Sequence, residues 1–178
     1  MASKDKSTTT DTEFVLYTEF PRAGFFRRFG SWVYDVLIAV AVYMVVGAVG
    51  FGLFALAANI GLVDMGPYEH LIDVQQNSIL YSMLIYLWNL GWVAFFFIYF
   101  WARSGQTIGM KAWRLRVQNP DGTLISKKTG LKRILPTLLG LGNLLVIFDR
   151  QNKQSLQDKL TNTEVVVLSL DANKKTKI

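Results

Sequence analysis

Asp35 and the basic pair Arg27 and Arg28 are the residues whose types and spacing could do chemistry. Asp35 is the single charge between Arg28 and Asp64. An ionisable group in so apolar a stretch is expensive and marks a functional candidate: a cation or proton site, or a structural acceptor held by another segment. Arg28 and Asp35 are two helical turns apart and share a face with Ser31, with Asp35 roughly 10 Å further along the helix, too far for a direct pair. Asp158, in the short LQDKL segment, is a second candidate carboxylate, better suited to bracing than to chemistry. Asn89, Thr137 and Asn143 are possible supporting polar groups. Nothing resembles a catalytic constellation, since no serine or threonine has a histidine or cysteine near it in the sequence. The chain has no cysteine and one histidine, His70, which shares an acidic loop with Asp64, Glu69 and Asp73. One histidine in a solvated loop is not a metal site. We therefore expect no enzyme, no catalytic residue, no metal and no cofactor.

These groups must be positioned by elements that the hydropathy pattern makes plain. Residues 32–61 and 79–102 are apolar runs, and about 20 such residues span a bilayer. Trp and Tyr near the ends of the second run suit the headgroup region. The intervening loop has acidic residues and no Lys or Arg, whereas Lys4, Lys6, Arg22, Arg27 and Arg28 precede the first run. Arg103, Lys111, Arg114, Arg116, Lys127, Lys128, Lys132 and Arg133 follow the second. Short basic loops are retained in the cytoplasm, so the N-terminus is expected inside. The net charge of +6 then reads as a membrane bias with possible anionic lipid at the basic cytoplasmic loop, not as nucleic-acid binding. The first run starts too late and is too long for the core of a cleaved signal peptide.

A third apolar segment, residues 131–148, has an uncharged part of only about 15 residues, short of the ~17 to 25 of a spanning helix, and contains Pro136, Gly140 and Gly142. It is expected to be re-entrant or interfacial with the C-terminus inside; a short tilted span is the alternative. Trp113 to Gln118 alternates apolar and basic residues before the Asn119-Pro120-Asp121-Gly122 turn and residues 123–126, the pattern of a β-hairpin. Residues 163–170 suit a further strand. The expected fold is an all-α membrane protein with two transmembrane helices, the third short apolar helix and a small cytoplasmic β-element over 113–126 with 163–170. Residues 1–20 and 171–178 read as a mobile tail and a basic tail around a membrane domain over 21–170.

Depth narrows the partner of Asp35. The residues level with it on the second run are Phe95, Phe96 and Phe97, which cannot pair with a carboxylate. Thr137, Asn143, Lys132, Arg133, the Arg28 of a neighbouring copy or another subunit are the candidates. Asn89 is expected to make a polar contact between helices. Ala48 and Gly52, at small-xxx-small spacing, allow close helix approach. The Gly105-Gln106-Thr107-Ile108-Gly109 loop lacks the spacing of a phosphate loop and reads as a tight turn out of the second run.

Taken in order, Arg27-Arg28, Asp35, the GQTIG loop, Leu115-Arg116-Val117, Asp121-Gly122 and LQDKL before Thr163-Glu164-Val165-Val166 make the chain resemble the RDD family of membrane proteins. The resemblance covers about residues 21–167. It assigns the family's arginine to Arg28, with Arg27 beside it, and its aspartates to Asp35 and Asp158. The glycine loop departs from the family pattern, its lysine displaced to Lys111. The resemblance implies an integral protein of the bacterial inner membrane, with cation or proton transport suspected. Since two spans enclose no pathway alone, transport through Asp35 requires a homo-oligomer or other membrane proteins. A non-catalytic accessory or scaffolding subunit is the alternative.

Overall fold

A computed structural model describes residues 17–138, 140–149 and 151–176. The described chain is mostly helical and forms two compact units, one of residues up to Leu37 with those from Phe97 onward, the other of Ile38–Phe96. Helix α1, Phe25–Asn59, and helix α3, Ile79–Arg103, are long and apolar enough to cross a membrane. The first begins seven residues before the apolar run and so carries Arg27 and Arg28 within its first turns.

In the Ile38–Phe96 unit, Phe54, Val63 and Val74 form a core with Phe51, Tyr81 and Ile85 around it. Glycine spacing on α1 shapes this packing. A Cβ at Gly50 would stand 2.7 Å from the Trp88 ring, and Trp88 Nε1 donates to the Val46 carbonyl at 2.9 Å. Gly47 faces the buried Asn89: a Cβ there would lie 3.5 Å from the Asn89 amide, while a Cβ at Gly52 would meet nothing within 4 Å in this chain. The expected polar contact across the helices is absent at Asn89 Oδ1, which has no hydrogen-bond partner among the described residues. The acidic loop contains a further short helix, α2, Leu71–Asn77.

The other unit holds everything else. After α3 come α4, Ile108–Ala112, and strand β1, Leu115–Gln118; then α5, Lys127–Leu138, a 3-10 turn at Leu141–Leu144, α6, Leu145–Phe148, α7, Leu156–Thr161, strand β2, Glu164–Val167, and α8, Leu170–Lys175. The strands pair antiparallel, Leu115 opposite Val167 and Gln118 opposite Glu164, and Arg22 bridges to Val166.

The hairpin expected over residues 113–126 does not form. The turn at 119–122 forms, with the Asn119 and Gly122 amides donating to the Thr123 and Asn119 carbonyls, but residues 123–126 are no return strand: Ser126 accepts from the Thr129 amide and starts α5. Thus β1 finds its partner in β2. The third apolar segment is divided into α5, the 3-10 turn and α6, a pair bent by 88° that fits either a broken span or a re-entrant loop. The tails are also shorter than expected. Residues 1–16 lie outside the described chain, but Tyr17 and Ala172 of α8 pack with Val166 and Leu168 in one apolar cluster. Ser169 caps α8 by accepting from the Ala172 amide, so the C-terminal segment is docked by a cap and an apolar face.

Candidate functional site

Two polar centres are built in the unit that contains both ends of the described chain. The first grows from the start of α7. Ser155-Leu156-Gln157-Asp158 is a capping box: Ser155 Oγ accepts from the Asp158 amide at 3.4 Å, and Asp158 Oδ2 accepts from the Ser155 amide at 3.1 Å. This spacing satisfies two orphan N–H groups of a helix start and fixes the carboxylate. Arg28 of α1 donates from Nη1 to Asp158 Oδ2 at 2.7 Å, and Arg133 of α5 from Nη2 to Oδ1 at 2.8 Å. All three side chains are buried, Asp158 completely.

Two guanidiniums against one carboxylate leave a buried excess of positive charge, which neutral oxygens absorb. Arg28 also donates to the carbonyls of Ala23 and Lys153, both at 3.0 Å, and to Ser155 Oγ at 3.3 Å. Lys153 has φ of 51°, a left-handed conformation uncommon outside glycine, and its carbonyl is one of those acceptors. Arg133 donates to the hydroxyls of Thr161 and Thr163. Burial alone would raise the Asp158 carboxyl, but the charges of Arg28 and then Arg133 outweigh it and hold it below the ordinary carboxylate range.

The second centre is Asp35. Its Oδ2 accepts from the Thr107 hydroxyl at 2.6 Å and its Oδ1 from the Gly109 amide at 2.9 Å. Thr107 is the N-cap of α4, its hydroxyl accepting in turn from the Met110 amide at 3.1 Å. A five-residue helix is not stable alone. Here a carboxylate from α1 completes its N-terminus, where negative charge is favoured. The approach requires glycine at 109: a Cβ there would lie 2.5 Å from the Ser31 carbonyl and 2.6 Å from Asp35 Oδ1. At its far end α4 is tied to α8. Lys111 Nζ donates to the carbonyls of Asn173 and Thr176, and Asn173 Nδ2 to the Lys111 carbonyl at 3.1 Å; before the helix, Gln106 Nε2 donates to Asn173 Oδ1 at 2.9 Å.

The residues marked from sequence therefore fall into separate places. Arg28 and Asp158 meet directly, whereas Asp35 binds the GQTIG loop and none of Thr137, Asn143, Lys132 or Arg133. Ser31 is buried, with its backbone against Gly109. Arg27 is half-buried and adjoins Arg28 in the sequence. Asn143 accepts from Gln157 Nε2 at 3.0 Å, and the Thr137 carbonyl accepts from Trp32 Nε1 at 3.1 Å; neither touches Asp35. Asn89 belongs to the other unit. Thr107, Gly109, Arg133 and Ser155 are the functional residues not assigned to their centres beforehand. The S-x-x-D spacing at 155–158 is a readable capping signal; the Thr107–Asp35 contact, 72 positions apart, has no local one.

Among the described residues no group of three or more His, Asp or Glu side chains is placed to hold a metal ion. Each centre is instead a set of donors closed on a carboxylate. In comparison with known proteins, the model of the RDD family matches residues 22–162 of the chain. No curated protein and no solved structure matches it.

Proposed function

The chain belongs to the RDD family and is a membrane protein with two apolar helices able to span; on that premise we propose that it is a non-catalytic accessory or scaffolding subunit of a membrane assembly. Arg28, Asp35 and Asp158 brace its extramembrane unit against the start of α1. The observation that carries this reading is that both Asp35 oxygens are occupied by protein donors. These donors hold the carboxylate in one orientation at the start of α4, which suits a bracing role. Charge distribution further supports an inner-membrane, multi-pass arrangement with the N-terminus cytoplasmic, and assembly as a homo-oligomer or with other membrane proteins.

One observation favours the second reading, transport of a small cation or proton. The Thr107 hydroxyl and the Gly109 amide that donate to Asp35 are neutral, and among the described residues no salt bridge reaches this buried carboxylate. Ion flux in proteoliposomes and mass spectrometry after gentle-detergent purification separate the two. Scaffolding predicts no flux from the wild type, and an Asp35→Asn chain that loses thermal stability and partner retention. Flux that Asp35→Asn abolishes while assembly stays intact would establish transport and overturn the scaffold.

A further inference from the structure

Helix α5 divides its residues between two faces of opposite character. Inward it turns Gly130 and Arg133, both buried. Outward it presents Lys127, Lys128, Leu131, Lys132 and Leu135, all exposed, with the two leucines at 63% and 70%. Positions 128, 131, 132 and 135 follow the i, i+3, i+4, i+7 pattern of one helical stripe. The helix contains no acidic residue, and none of its three lysines joins an ion pair among the described residues. Lys127 and Lys128 even occupy the first turn, where the helix dipole disfavours cations. The Ser126 cap starts the helix in spite of that repulsion.

Contacts within the unit place this stripe near the end of a candidate span. A Cβ at Gly130 would touch Ile98 at 3.5 Å. Ile98 lies five residues before Arg103 closes α3, about 7 to 8 Å along that helix. At the other end of α5 the Thr137 carbonyl receives the Trp32 indole N–H, and an indole at the mouth of an apolar helix suits the headgroup zone.

We propose that the outer face of α5 lies in the membrane interface and binds anionic phospholipid, with Leu131 and Leu135 entering the acyl boundary and Lys127, Lys128 and Lys132 meeting the headgroup phosphates. Charge complementarity selects this occupant. Three lysines without carboxylates call for anions, and leucines interleaved with them call for an apolar layer directly beneath those anions. A bilayer of anionic lipid offers both at that spacing. The inference is independent of whether Asp35 scaffolds or transports.

The chain has no cysteine, so Leu131→Cys takes a single environment-sensitive probe in the full-length protein. The protein is placed in nanodiscs of phosphatidylcholine alone and in nanodiscs also containing phosphatidylglycerol. Adding phosphatidylglycerol is expected to lower quenching by an aqueous nickel chelate severalfold and to raise quenching by a lipid-borne quencher. In the K127Q/K128Q/K132Q background that shift disappears, and selectivity for spin-labelled phosphatidylglycerol over phosphatidylcholine falls by up to about fivefold per lysine. These lysines are exposed and make no ion pair among the described residues, so the variant keeps its fold, as checked by an unchanged melting transition in phosphatidylcholine. A probe that stays in water in both bilayers overturns the proposal, as does lipid selectivity unchanged in the triple variant. Lysine-dependent capture of an acidic soluble protein with the probe still aqueous overturns it too, and marks the face as a protein-docking surface.

Discussion

Asp158 accepts from two arginines at once, and removing its charge leaves both guanidiniums buried without an anion. Breaking a buried pair in this way costs about 3–5 kcal/mol, so Asp158→Asn should lower the thermal unfolding midpoint of the purified protein markedly. A melting transition within error of wild type would show the pair to be ornamental. The same carboxyl sets a pH dependence. Its native value is depressed relative to an unfolded value of about 4, so its contribution is complete above about pH 4 and is lost as the pH falls through the lower native value. Acid titration of the melting midpoint should therefore drop more steeply below pH 4 in wild type than in Asp158→Asn; equal slopes would contradict this. At this scale the sequence made Arg28, Asp35 and Asp158 visible because charge near apolar runs is conspicuous. Their pairing was hidden because Arg28 and Asp158 are 130 positions apart and no periodicity links them. The two-turn step from Arg28 to Asp35 invited one shared face, yet the two side chains serve different helices.

Helix α4 has five residues and is held at one end by Asp35 and at the other by α8. Thr107→Val removes both the cap and one donor to Asp35, at a cost of about 1–3 kcal/mol. Gly109→Ala places a methyl against the Ser31 carbonyl and should destabilise by a similar amount. Hydrogen exchange at α4 amides should accelerate in both variants, and an unaltered exchange pattern would mean that α4 is secured elsewhere. The long helices α1 and α3 were legible because an apolar run of more than 20 residues has one solution in a bilayer. The short elements were not. Trp113–Gln118 has a strand's alternation and Asn119–Gly122 a turn's residues, but Ser126 with Lys127 onward continues into a helix, and the choice of partner for β1 rests with Val165 and Val166 near the other end of the chain. Alternation identifies a strand without identifying its neighbour.

For the molecule as a whole, the charge asymmetry gives a topology that labelling can test. In otherwise cysteine-free chains, Glu69→Cys should react with a membrane-impermeant maleimide on intact cells, and Gln151→Cys only after permeabilisation. Reaction of Gln151→Cys on intact cells would reverse the orientation. The contact between Arg28 and Asp158 also has a meaning in time. During synthesis Asp35 can meet Thr107 once 72 further residues have been added, but Arg28 must wait for 130, on the order of ten seconds at ribosomal speed. Until then it stands at the mouth of the first helix as a cation with no counterion. A nascent chain that stops before residue 158 never receives that counterion, so the pairing marks whether translation has passed the start of α7.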